Sequence, residues 1–67
     1  MSDFAIRLKE LRTERKLSQV QLADKTELGK TSIYQWENDL RIPNANAIIA
    51  LAKFFGVSSD YLLGLED

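Results

Sequence analysis

The sequence predicts an all-α domain, a compact five-helix bundle without strands. Three observations predict it. Apolar residues recur at helical spacing in successive segments, first at Phe4, Leu8 and Leu11. Residues suited to capping stand where those segments begin: Ser18, Asn44 and Ser58. Between Leu17 and Asn38 the same start device occurs twice in close succession, which places two short helices either side of a tight turn.

The first helix takes its stripe from Phe4, Leu8 and Leu11, with Ser2 or Asp3 as cap, and runs to about Lys16. Arg7, Lys9, Glu10, Glu14 and Arg15 form its outer face, read as solvated. Glu10 and Glu14 make no favourable i,i+4 pair. Ile6 lies off the stripe, either a lone exposed apolar residue or part of a contact surface.

In the second helix Ser18 is the cap, Gln21 completes a capping box, and Leu17 and Leu22 form a hydrophobic staple. Leu28 and Ile33 repeat the staple around Gly29, a weaker N-cap, at the start of the third. The inward set is Leu22, Ala23, Leu28, Ile33 and Trp36, with Ala23 small where two helices must approach. Trp36 shares the buried stripe of Ile33, which favours the core over a stacking role. Outward, the third helix shows Lys30, Thr31, Ser32, Tyr34, Gln35 and Asn38. So many hydrogen-bonding side chains, where Glu and Ala would serve a structural helix, suit a reading head.

Asn38 to Pro43 is a turn-rich linker with Leu40 and Ile42 as unexpected apolar residues and Arg41 as its cation. Asn44 caps a fourth helix with the stripe Ile48, Leu51, Ala52 and Phe55, closed by Gly56. Ser58 caps a last short helix through Tyr61, Leu62 and Leu63, stapled by Val57 against Leu62. There is no internal repeat or low-complexity segment, so residues 1–67 are read as a single domain.

A chain of 67 residues buries only about 60% of its unfolded surface. The absence of cysteine and histidine excludes disulfides, thiolate metal sites and imidazole catalysis. Catalysis would have to rest on carboxylates, and no pair occupies an apolar pocket that could separate their pKa values. Gly29, Gly56 and Gly64 stand singly, so no phosphate-binding loop is present. The expectation is a non-enzyme without a cofactor. No apolar run approaches the ~20 residues of a membrane span, and Met1-Ser2-Asp3 leads into a helix pattern without a signal peptide. That predicts a cytoplasmic protein.

The net charge of −1 and pI of about 5.3 do not favour nucleic acid. The distribution is milder: eight cations and six anions between Arg7 and Arg41 leave +2, while Asp60, Glu66 and Asp67 crowd the C-terminal end. Charge alone predicts modest non-specific affinity.

Taken together, Leu17-Ser18-Gln19, Leu22-Ala23, Leu28, Ile33, Trp36-Glu37, Pro43, Leu51-Ala52 and Gly56-Val57 resemble the Cro and phage-repressor (Xre-type) helix-turn-helix family. The resemblance runs from about Phe4 to Leu63 and implies that the third helix lies in the DNA major groove. Where relatives often carry Gly in the turn, this chain has Glu27, at a cost of roughly 1–2 kcal/mol if it is left-handed. The resemblance also implies that Arg12 pairs with Glu37, the fork of an arginine on a carboxylate.

The site residues follow from these readings. Gln19, at a helix start, suits phosphate, and the resemblance implies a contact with the DNA backbone or a nearby base. Lys30, Thr31 and Gln35 match positions that in the resembled family reach base edges, with Lys suited to guanine, Gln to adenine and the Thr methyl to thymine. Tyr34 points outward between buried Ile33 and Trp36 and suits phosphate. Ser32, Asn38 and Arg41 complete the set. The implied partner is double-stranded DNA with a palindromic operator, bound by a symmetric dimer. The implied dimer contact is Gly56-Val57-Ser58-Ser59-Asp60, weak because Ser59 stands where an apolar residue would help. The reading is a DNA-binding transcriptional regulator, a repressor. The alternative is a protein-interaction module on the same fold, antitoxin-like or anti-repressor, kept open by Ile6, Leu40, Ile42 and the acidic balance.

Overall fold

Side-chain caps mark the start of every helix but the third. The computed structural model describes residues 2–66, which leaves Met1 and Asp67 outside the described residues. It contains α1 (Asp3–Glu14), α2 (Gln19–Thr26), α3 (Lys30–Glu37), α4 (Ala45–Phe55) and α5 (Ser59–Leu62). Ser2, rather than Asp3, caps α1, its Oγ accepting from the Ala5 N–H at 3.2 Å. At α2 the capping box closes both ways: Ser18 Oγ accepts from Gln21 N–H at 3.0 Å and Gln21 Oε1 from Ser18 N–H at 2.8 Å. Asn44 and Ser58 cap α4 and α5 one way, accepting from the Ala47 and Tyr61 N–H groups. Gly29 precedes α3 without a side-chain cap.

The helix ends depart more from expectation. α1 stops at Glu14, short of Lys16, because Lys16 turns left-handed (φ 57°) and Leu17 N–H returns to the Arg12 carbonyl at 3.1 Å. α5 likewise ends at Leu62, with Leu63 as its C-cap. Glu27 holds the left-handed turn after α2 at φ 60°, the conformation for which glycine is favoured. Gly56 closes α4 at φ 69°.

The core joins Phe4 and Leu8 of α1, Leu22 and Ala23 of α2, Ile33 and Trp36 of α3, Leu51, Ala52 and Phe55 of α4, and Leu62 of α5. Each fully buried Leu or Ile there is worth about 2 kcal/mol. α3 packs on both α1 and α2, α4 on α2 and α5, and α5 returns to α1. The third helix is therefore held from two sides while its remaining face stays open. Leu17, Leu28 and Val57, the outer members of the staples, are partly buried against this core. In α4 Ala47 is buried where the stripe predicted Ile48, which is only partly covered. Trp36 meets Phe4 edge-on at 6.4 Å, which confirms its place in the core. Its indole Nε1 is buried without a partner among the described residues, a cost of about 1–3 kcal/mol that burial of the ring must offset.

Two arginines of α1, with Arg15 at its C-cap, tie the bundle together. Arg12 forks onto Glu37, with Nε to Oε2 at 2.7 Å and Nη2 to Oε1 at 2.9 Å. Its third contact is Nη1 to the Leu17 carbonyl at 2.7 Å. The hydrogen-bonded carboxylate raises the Arg12 pKa above its already high ordinary value, against the opposing effect of burial. The outer face of α1 is not simply solvated, contrary to the sequence reading. Arg15 donates to the carbonyls of Phe54 and Phe55 at 3.1 and 3.0 Å and lies over both rings. Arg7 donates to the carbonyls of Tyr61 (2.7 Å) and Glu66 and stacks on the Tyr61 ring. The carbonyls at the end of α4 lack intrahelical partners and carry partial negative charge, which is what Arg15 answers.

Asp39 makes the last tie. It is left-handed at φ 58° and turns the chain back, so that Leu40 N–H reaches the Gln35 carbonyl at 2.8 Å. Its carboxylate accepts from Ser2 N–H at 2.8 Å and Ser2 Oγ at 2.7 Å. Those bonds hold its pKa below the usual carboxylate range. Gly64, at φ 82°, brings the C-terminal turn against the same end of α1, where an added Cβ would lie 2.4 Å from that of Asp3.

Two stability outcomes follow. Arg12→Ala strands a buried carboxylate and should cost about 3–5 kcal/mol, whereas Arg15→Ala should cost about 1 kcal/mol. Equal urea midpoints for the two variants would contradict this assignment. Because the folded pKa of Asp39 is depressed, its contribution is present above the unfolded value of about 3.9 and lost as pH falls through the folded value. Asp39→Asn should therefore lower the thermal midpoint at pH 7, and the gap to the parent should close as pH falls below the usual carboxylate range. A gap that stays constant or widens toward acid would show that the carboxylate charge is not what matters.

Candidate nucleic-acid interface

The face of α3 left open by the core is set by helical geometry. Ile33, Trp36 and Glu37 are buried, which turns Lys30, Thr31, Tyr34 and Asn38 to the exterior. Gln35 is half-buried, since it lies on the flank of that face nearer Trp36 rather than at its centre. No hydrogen bond within the described residues engages its side chain, so its amide is free to act outward.

The start of α2 lies beside this face. Gln19, Lys30, Thr31 and Tyr34 line one shallow groove of about 270 Å³, together with Val20. Val20 is absent from the sequence-predicted site, although half of its surface is exposed. The signal was its position next to Gln19 in the first turn of α2, away from the stripe of Leu22 and Ala23. The groove combines a cation, two hydroxyls, an amide and an apolar floor, the mixture that base edges and phosphates require.

The other predicted residues are placed differently. Ser32 is half-buried, and its Oγ accepts from Arg41 Nη1 at 3.3 Å, which draws the linker cation toward α3. Asn38 turns its amide back onto the Tyr34 carbonyl at 2.8 Å and so closes the end of α3. Arg41 also borders a larger, mainly apolar cavity of about 560 Å³ lined by Phe4, Leu40, Ile42, Pro43, Ile48 and Leu63. Arg41 therefore stands apart from the groove that gathers Gln19 and Lys30. Leu40 and Ile42 are 65% and 89% exposed, so the linker shows solvent an apolar surface, as its sequence suggested.

Gln19 has a second connection that the sequence did not reveal. Its Nε2 donates to Glu37 Oε1 at 3.2 Å, which joins it to the buried ion pair. The pairing of Arg12 with Glu37 was expected; the extension to α2 depends on a crossing that no local pattern displays.

Among the described residues no helix is long and apolar enough to cross a membrane. A family model described as helix-turn-helix matches residues 8–62. The chain is 37% identical over 65 residues to the HTH-type transcriptional activator BcrR of Enterococcus faecalis, covering 97% of this chain and 32% of that protein. It is 37% identical over 60 residues to the immunity repressor protein of Bacillus phage phi105, covering 90% of this chain and 42% of that one. The chain thus spans less than half the length of either relative. Among solved structures it is similar to the P22 c2 repressor protein in complex with synthetic operator 9T, with a TM-score of 0.86 and 30% identity. That match covers 94% of this chain and 96% of the repressor chain.

Proposed function

The chain belongs to the helix-turn-helix family, and from that premise we propose that it is a sequence-specific DNA-binding transcription regulator that acts as a repressor. The observation that carries this reading is the groove that gathers Gln19, Val20, Lys30, Thr31 and Tyr34 beside the open face of α3. In this reading α3 enters the major groove, where Thr31 and Gln35 meet base edges and Lys30 stands at the leading end. Tyr34, Ser32, Asn38 and Arg41 flank that contact, with Tyr34 and Arg41 on phosphates. Gln19 holds the adjoining backbone from the start of α2. Repression requires only that the operator be occupied.

The proposed partner is a palindromic operator bound by a homodimer through Gly56–Asp60, with half-sites about one helical turn apart. That surface supports only weak association. Val57 is partly buried against the core, and Ser58 is engaged as the α5 cap and with the Glu66 carboxylate, leaving few apolar atoms. We place the protein in the cytoplasm and assign it no catalytic activity, in keeping with a family of transcription regulators. The protein-interaction module is not favoured, since the relatives described above are named as a transcriptional activator and as repressors.

Selection of duplexes from a random pool, at stated salt, tests the reading. Gln35→Ala should lower affinity for the selected site by about 1–3 kcal/mol and relax preference at one base position per half-site. Binding to unrelated duplex should hardly change. If every single-base variant of the site weakened equally, Gln35 would be a positioning residue; if no duplex were enriched, the DNA reading would fail.

A further inference from the structure

Glu37 is 3% exposed, and its carboxylate does two things at once. Oε2 accepts from Arg12 Nε, while Oε1 accepts from both Arg12 Nη2 and Gln19 Nε2. An ionised carboxylate only accepts, so Gln19 must turn its amide nitrogen inward and cannot flip without losing the bond. Arg12 neutralises the acid that would otherwise repel an approaching phosphate.

We propose that Glu37 is a positioning residue for DNA contact, which acts by fixing the side-chain amide of Gln19 in one orientation at the edge of the groove. The inference rests on the DNA-binding reading above and assigns Glu37 a role beyond the stability of the bundle. One N–H of Gln19 is committed to Glu37, which leaves one N–H and Oε1 for the duplex. Phosphate oxygens accept only, so the free N–H serves a phosphate; an adenine edge takes the N–H on N7 and gives its N6–H to Oε1. A side chain already held in place loses less freedom when it makes either contact. The chain Arg12–Glu37–Gln19 also crosses three helices, α1, α3 and α2, so the register of the two motif helices and the aim of the amide are set by one group.

A double-mutant cycle separates positioning from plain structural support. The probe is the duplex selected by the parent chain, and affinities are measured for the parent, Glu37→Gln, Gln19→Ala and the double variant, each below its own unfolding temperature. Glu37→Gln should weaken binding about tenfold when Gln19 is present, and should cause no loss when Gln19 is already alanine. An equal loss in both backgrounds would overturn the proposal and leave Glu37 a structural residue. Failure of the parent to select any duplex would instead overturn the functional reading on which the proposal stands. Should Glu37→Gln not fold, side-chain amide relaxation of the parent decides: the Gln19 amide should be as rigid as the backbone with and without duplex. A Gln19 amide as mobile as that of Gln35 in the free protein would overturn the proposal.

Discussion

The ion pair of Arg12 and Glu37 is the constraint on which the rest of this structure depends. Two charged groups have been drawn into the boundary between α1 and α3, where the side chains keep 11% and 2% of their exposure. Removing them from water is expensive, and the bidentate geometry, the bond to the Leu17 carbonyl and the bond from Gln19 answer that cost. The apolar core alone would tolerate small shifts of α3 over α1, since hydrophobic contact is not directional. A forked pair with defined distances does not. It fixes the rotation of α3 about its own axis and therefore which side chains face outward.

Charge is used sparingly at the surface as a consequence. Arg7, Arg12 and Arg15 are all committed to carbonyls or to Glu37, so these three arginines serve the fold. On the open face of α3 the cations are Lys30 and, through the linker, Arg41. The proposed contact is thus built mainly from neutral donors and acceptors, with sequence read by shape and hydrogen bonding more than by electrostatic attraction. The overall charge of −1 is no obstacle to that arrangement, because the acidic excess lies elsewhere on the chain.

Much of this was legible in the sequence where the physics is local. The capping box of Ser18 and Gln21, the caps Asn44 and Ser58, the left-handed Gly56 and the stripes of α1 and α3 depend on residues within a turn or two of one another, and the structure contains them all. The premature end of α1 at Glu14, the contacts of Arg7 and Arg15 with distant helix ends, and the bond from Ser2 to Asp39 were not legible. Each joins groups far apart in the chain, and a charged residue on a helix surface looks the same whether it meets water or a carbonyl. The same distinction divides the candidate site. Lys30, Thr31 and Tyr34 could be placed outward by counting from Ile33 and Trp36; Val20 could be placed off the stripe of α2, but its meeting with α3 depends on how the two helices cross.

The central claim is that the pair of Arg12 and Glu37 turns one face of α3, with the start of α2, toward a DNA duplex. Amide chemical-shift mapping on titration with the selected duplex tests it most directly. The account predicts that the largest shifts fall at residues 18–20, 30–35 and 38–41, with the buried stripe of α4 and the turn around Gly64 little affected. Largest shifts along the cavity of Phe4, Ile48 and Leu63, with Lys30, Thr31 and Tyr34 unmoved, would contradict it.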